Sequence, residues 1–164
     1  MRTTKKRRIE KKTDYKARLI LLKGRKPRVV IRKTNKYIIA QYVQSEESKD
    51  KVILGISSKD LLEHGWEKEK AGSLKSIPAG YLTGLLLGTK IHAKSKEEVI
   101  LDLGLIRNVK KSRVYAVLNG LVDSGIKIKH NKSVFPDEKR IKGEHLKNKI
   151  NFEKIKENIL KEKK

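Results

Sequence analysis

Arg28-Val29-Val30-Ile31-Arg32, a polar turn at Thr34-Asn35-Lys36, and Tyr37-Ile38-Ile39-Ala40-Gln41-Tyr42-Val43 form the stretch whose reading decides the fold. β-Branched and aromatic residues at this density fit a pleated strand, and a short polar turn between two such runs reverses the chain, so the segment reads as a β-hairpin. A polar loop over 44–50 leads to a third strand at 51–56, where Ser57, Ser58 and Asp60 then offer caps for a short helix ending near Gly65. Three strands in succession predict an antiparallel meander. Past a charged loop at 67–72, Ser76 caps a helix over 77–90, with Pro78 in the tolerated first turn. Its glycines, Gly80, Gly84 and Gly88, weaken helix propensity but admit a close neighbour, and packing on the sheet is the expected use. Residues 99–105 follow as an almost continuous apolar strand, the kind buried on both faces in a parallel pairing. Ser112 then caps a helix with Val114, Val117, Leu118, Leu121 and Val122 at helical spacing, closed by Gly125. The fold class is α/β: a mixed, mostly antiparallel sheet in the order βββαβα, helices packed on it, and basic extensions at both ends.

Working toward the N-terminus, Asp14 caps a short helix with Tyr15, Leu19 and Leu22 on one face and Gly24 as its stop. Residues 1–12 are nearly all charged or small and polar, and are expected to be disordered in the free protein. Beyond residue 127 the pattern weakens until a lysine-rich helix over 152–160, whose apolar stripe is Phe152, Ile155 and Ile159. Whether that helix docks is left open by the sequence. The expected organisation is a basic arm with a short helix (1–26), a globular α/β domain (27–125) and a basic C-terminal extension (126–164).

At 164 residues the chain has the length of about one domain. Its 42 Lys and Arg against 19 Asp and Glu give a formal charge of +23, enough self-repulsion to call for a polyanionic partner. The surplus is uneven: net +14 over 1–36, +2 over 37–125 and +7 over 126–164. Seven of the ten arginines lie before residue 33. A solubilising tail has no need of arginine, whose planar fork of donors suits phosphate and base edges.

Most site chemistry is absent. Without cysteine there is no disulfide scaffold, thiolate zinc site or thiol nucleophile, and a reducing cytoplasm fits. His64, His92, His130 and His145 show no ligand spacing, no glycine-rich phosphate loop follows a strand, and no cofactor is implied. No apolar run reaches the length of a membrane span, and the basic N-terminus leads into no signal-like apolar segment, so the basic end is expected to belong to the working protein. Asp102 could be a first metal ligand of a nuclease with Asp60, Glu63 or Asp123 as partners, yet two-metal chemistry needs carboxylates that converge. An edge or loop hydrogen bond, or a salt bridge to a nearby lysine, explains it more simply.

What remains is basic residues interleaved with tyrosines and polar turn groups. Arg7, Arg8, Lys11, Lys12, Tyr15, Lys16 and Arg18 form one cluster; Arg25, Lys26, Arg28, Arg32, Lys33, Thr34, Asn35, Lys36 and Tyr37 a second; Arg107, Lys110, Lys111, Ser112, Arg113 and Tyr115 a third. Phosphate neutralisation supplies most of the affinity of such surfaces, and aromatic stacking on unpaired bases adds to it. No helix-turn-helix or zinc finger is present, and a sheet domain with basic arms suits folded RNA. For Tyr15, Tyr37 and Tyr115, partial burial competes with base stacking. Arg28 and Arg32, four apart on a strand, share one face and together present forked donors, unless they bridge acidic residues on the sheet.

Six segments in order carry a resemblance: 13–19 (TDYKARL), 24–41 (GRKPRVVIRKTNKYIIAQ), 77–84 (IPAGYLTG), 100–105 (ILDLGL), 111–116 (KSRVYA) and 136–145 (PDEKRIKGEH). Over roughly 7–147 the chain resembles the archaeal form of the universal large-subunit ribosomal protein eighteen family. The resemblance implies a non-catalytic protein of the cytoplasmic ribosome that binds 5S ribosomal RNA and attaches it to the large-subunit RNA, beside neighbouring proteins of the central protuberance. It also implies a ribonuclease-H-like topology and a structural role for Asp102. By carry-over the arm, the hairpin through Lys36 and the turn at 110–113 would touch the 5S RNA. The candidate RNA-binding residues are therefore those of the three clusters apart from Arg107 and Tyr115. Glu46, Glu47 and the loop at 67–70 depart from the family pattern, and an RNA-binding or RNA-chaperone protein outside the ribosome is the alternative.

Overall fold

The fold was obtained as a computed structural model that describes residues 5–10, 12–47, 49–95, 97–146 and 150–161, with Arg8 described for its backbone alone. A four-residue helical turn, α1 (Lys6–Ile9), precedes helix α2 (Tyr15–Lys23), where the Asp14 carboxylate accepts from the backbone N–H groups of Lys16 and Ala17. Four strands follow in the order of the chain: β1 (Arg28–Lys33), β2 (Ile38–Glu46), β3 (Lys49–Ser57) and, after helix α3 (Ile77–His92), β4 (Ile100–Asp102). Helix α4 (Arg113–Asp123), the short α5 (Glu138–Lys142) and α6 (Phe152–Lys161) complete the set.

The sheet order is β3-β2-β1-β4, with β1, β2 and β3 antiparallel and β4 parallel to β1. This is the βββαβα order anticipated above. The first hairpin turns where expected: Thr34 holds Tyr37 by backbone and hydroxyl hydrogen bonds of 2.8–2.9 Å. After β3, Ser57 and Asp60 form a reciprocal capping box on a 3-10 turn (Ser58–Leu62).

Alternation along β1 decides the layers. Val29 and Ile31 are fully buried and face the core with Ile38, Ala40, Tyr42 and Ile56, while Arg28, Val30 and Arg32 occupy the opposite face. Helix α3 covers the core face. It is apolar all round and buried from Ile77 to Thr89, because the sheet lies on one side and α4 and α6 on the others.

Four expectations change. Of the glycines of α3, Gly80 meets both Ile38 of the sheet and the start of α4, while Gly84 and Gly88 meet α4 and Ser124 at its end instead: a Cβ on Gly84 would lie 2.1 Å from the Val117 carbonyl oxygen, and one on Gly120 of α4 2.1 Å from that of Tyr81. The two backbones touch, which only glycine permits. The strand expected at 99–105 shortens to Ile100–Asp102, because it forms the sheet edge and Gly104, at φ +58°, turns the chain away. Ile100 and Leu101 are half-buried rather than enclosed on both faces. The loop at 67–72 contains a 3-10 turn, Lys68–Ser73. Within 1–12, where disorder was expected, residues 6–9 form a helical turn and the Lys12 N–H bonds the Arg7 carbonyl; residues 1–4 and Lys11 lie outside the described residues.

The C-terminal helix docks. Phe152, Ile155 and Ile159 are buried against α3, Phe152 rests on Tyr81 with ring centroids 5.5 Å apart, and Asn158 bonds the His64 carbonyl at 2.9 Å. Ile126, Ile128 and Ile141 enter the same core from the segments before it.

Candidate nucleic-acid interface

Two basic grooves flank the segment that follows β4. The first lies between α2 and the edge of the sheet, lined by Arg7, Lys12, Arg18 and Arg32 together with Leu21, Leu101, Leu103 and Gly104. The second lies between the hairpin and the start of α4, lined by Lys33, Arg107, Lys111, Arg113 and Arg140 over an apolar floor of Ile77, Ile106, Val109 and Val114. Residues from separate thirds of the chain thus meet on one side of the fold.

The first groove is internally neutralised. Arg28, expected to face RNA, is 2% exposed, and its guanidinium donates to Asp102 at 2.9 Å, to Asp50 at 2.7 Å and to the Ser45 hydroxyl at 2.9 Å. A guanidinium enclosed in this way cannot reach a ligand, so Arg28 leaves the candidate surface. Arg18 of α2 pairs with the other oxygen of Asp50 at 2.8 Å. Arg32 approaches Asp102 at 3.8 Å and donates to that residue's carbonyl oxygen at 3.3 Å. A chain of alternating charge, Arg18-Asp50-Arg28-Asp102-Arg32, therefore ties the arm helix to the outer face of the sheet. Burial by itself raises the Asp50 carboxyl, but the bonds from Ser45 and Arg18 and the charges of Arg28 and Arg18 outweigh it and bring the group below its ordinary value.

Asp102 also accepts from the Gly104 N–H at 2.8 Å. That is the loop hydrogen bond expected of it, while its charged partners are arginines and not a lysine. Of the other acids considered beside it, Asp60 caps a 3-10 turn that Glu63 closes through its backbone N–H, and Asp123 accepts from the Tyr81 hydroxyl at 2.7 Å. That bond, following burial, pushes the Tyr81 phenol far up. Among the described residues no group of three or more His, Asp and Glu could hold a metal ion.

Of the remaining candidates, Lys16, Arg25, Lys26, Lys33, Thr34, Asn35 and Lys36 are exposed. Arg25 sits in left-handed backbone at φ +47° just beyond α2, and Lys26 pairs with Glu98, whose carboxyl is held down by that hydrogen bond and charge. Lys12 pairs with Glu10 at 2.9 Å, and Arg7 donates to the Thr13 hydroxyl at 3.0 Å. Lys110 and Arg113 are exposed, and Lys111, at φ +58°, pairs with Asp137 at 2.8 Å. Ser112 precedes α4 without a side-chain cap bond. Among the tyrosines, Tyr115 is buried with its hydroxyl on Asn108, Tyr37 is half-buried, and Tyr15 lies under the Lys5 ammonium 4.7 Å from its ring centre. Lys11 and the Arg8 side chain lie outside the described residues. Arg140 was in none of the sequence clusters. Its signal was Ile141, the single apolar residue of α5, which anchors the helix in the core and leaves Lys139 and Arg140 on its open side.

Fold and charge together define a basic α/β protein whose cationic side chains line grooves rather than a catalytic centre. A family model described as ribosomal large subunit proteins 60S L5 and 50S L18 matches residues 1–98. Among curated proteins, the large ribosomal subunit protein uL18 of Korarchaeum cryptofilum is 46% identical over 140 residues, 85% of this chain and 70% of its own. That of Methanococcoides burtonii is 42% identical over 163 residues, 95% of this chain and 92% of its own. The chain belongs to this family of large ribosomal subunit proteins. It is accordingly a structural, RNA-binding protein of the ribosome, from a family that is not one of enzymes.

Proposed function

We propose that the chain binds 5S ribosomal RNA and attaches it to the large-subunit RNA in the central protuberance, beside neighbouring proteins there. The observation that carries this reading is that the arm, the end of β1 and the segment between β4 and α4 line two adjoining basic grooves instead of one. A protein that joins two RNA molecules needs two places to hold them. The exposed turn residues Lys33, Thr34, Asn35 and Lys36, the arm residues Lys16, Arg25 and Lys26, and Lys110 through Arg113 are the contacts assigned to RNA in this reading. Residues 1–26 act as the arm: they hold 12 of the 42 Lys and Arg of the chain, and no side chain of α2 is buried.

Binding of labelled 5S RNA, against a length-matched unrelated structured RNA, tests the reading. The full chain should prefer 5S RNA, and removal of residues 1–26 should abolish most of that affinity while the melting transition persists. Equal affinity for the two RNAs, or an arm-less protein that binds 5S RNA as tightly at physiological salt, would overturn it.

A further inference from the structure

Helix α2 has no anchor in the core. None of its side chains is buried, Leu19 and Ile20 are 55% and 63% exposed, and a groove of about 500 Å³ opens between its inner side and residues 101–106. Among the described residues, one side-chain hydrogen bond joins α2 to the sheet, from Arg18 to Asp50 at 2.8 Å. The two oxygens of Asp50 have different surroundings. One is fixed from inside, accepting from the Ser45 hydroxyl and from the enclosed Arg28 guanidinium, both at 2.7 Å, while the other accepts from Arg18. Ser45 and Asp50 are register partners across β2 and β3, which sets the place of the carboxylate. With 35% and 30% of the two side chains exposed, the Arg18 bond adds little to global stability beside those inner bonds, and its main consequence is for Arg18 itself.

We propose that Asp50 is a positioning residue that sets the selectivity of the arm: it takes the place of a phosphate on Arg18, holding α2 in position and withholding that guanidinium from unmatched RNA. A carboxylate oxygen and a phosphate oxygen offer a guanidinium the same charge-assisted bond. An RNA that takes Arg18 must break one such bond to make another, and it brings its phosphate beside a carboxylate that Arg28 and Ser45 keep in place. The exchange gains nothing from charge alone. Binding without regard to sequence or shape is a sum over neutralised phosphates, so silencing one cation lowers it directly. A matched RNA instead meets Lys16, Arg25 and Lys26 on and just beyond a helix that is already placed, and the cost of ordering it is not charged to binding. Discrimination comes from what is denied to the wrong partner. The inference rests on the RNA reading above, with 5S RNA as the matched partner.

The test uses the full chain, labelled 5S RNA and a length-matched unrelated structured RNA, below the melting transition of each variant. Asp50→Asn should bind the unrelated RNA at least about threefold tighter, with a slope of log affinity against log salt steeper by about 1, while 5S RNA gains less than about twofold. Asp50→Glu, which restores the carboxylate, should return both affinities toward wild type. In an Arg18→Gln background the Asp50→Asn gain should vanish. Arg18→Gln alone disturbs no buried group, so it keeps the proposal open to refutation should Asp50→Asn unfold: amide exchange across residues 15–23 should quicken, yet the salt slope for either RNA should stay, because no phosphate contact is lost. Glu157→Gln adds the same charge on exposed α6 and should shift the unrelated RNA by less than about twofold. Unchanged affinity of Asp50→Asn for the unrelated RNA, a gain that persists without Arg18, an equal gain for 5S RNA or in the α6 control, or a slope lowered by Arg18→Gln would each overturn the proposal. A wild-type chain without preference for 5S RNA would sink the 5S assignment alone, and the hold on Arg18 would still be read on the unrelated RNA.

Discussion

The Arg28 guanidinium and the Asp102 carboxylate meet at 2.9 Å across two parallel strands, both residues buried, and the same guanidinium reaches Asp50 on β3. With its bond to Ser45 of β2, that one side chain joins all four strands, and Asp50 in turn holds Arg18 of the arm helix.

Because a buried charge without its partner is expensive, Arg28→Ala should cost about 3–5 kcal/mol in urea unfolding. Exchanging both strand arginines, Arg28→Lys with Arg32→Lys, should lower thermal stability while the folded protein keeps its RNA affinity, since one fork is internal and the other is held by Asp102. A loss of affinity at unchanged stability would return Arg28 to the RNA surface.

Gly84→Ala should destabilise by about 3 kcal/mol, because its Cβ would fall 2.1 Å from the Val117 carbonyl oxygen and two packed helices would have to separate. Gly72, with nothing within 4 Å of an added Cβ, serves as the control. Its substitution by Ala should lie within about 0.5 kcal/mol of wild type.

The ion chain makes stability depend on acid. The folded Asp50 carboxyl lies below its ordinary value, so its contribution is present above that ordinary value and disappears as pH falls through the lowered one. Melting temperatures from pH 6 down to pH 3 should therefore fall more steeply for wild type than for Asp50→Asn. Parallel curves would show that the pair contributes nothing to acid stability.

Ile155, buried to 1% exposure on the stripe of α6, fixes the last helix to α3. Ile155→Ala should cost about 2–5 kcal/mol and render the chain after residue 150 sensitive to limited proteolysis. Resistance equal to wild type would mean that Phe152 and Ile159 suffice to hold the helix.

Local chemistry was legible where neighbours in sequence are neighbours in space. The hairpin, the Asp14 and Ser76 caps, the capping box at Ser57 and Asp60, and the stripe of Phe152, Ile155 and Ile159 all follow from periodicity and turn residues a few positions apart. The parallel pairing of residues 100–102 was legible too, from their apolar content, although the edge position that shortens the strand was not.

Composition determined that this protein carries a large positive charge and has no thiol chemistry, and residue order that its arginines are concentrated toward one end. Only the tertiary structure decided which of those arginines are available. Strand alternation puts Arg28 and Arg32 on one face, but their fate depends on Asp50 and Asp102, 22 and 74 positions beyond Arg28, arriving on that face through sheet pairing. Likewise the Gly80, Gly84 and Gly88 row announces a close neighbour without saying which, and helix α4 claims it because Gly120 offers the matching gap. Charge is a property of the chain, whereas pairing is a property of distance, and distances between remote residues exist only after folding.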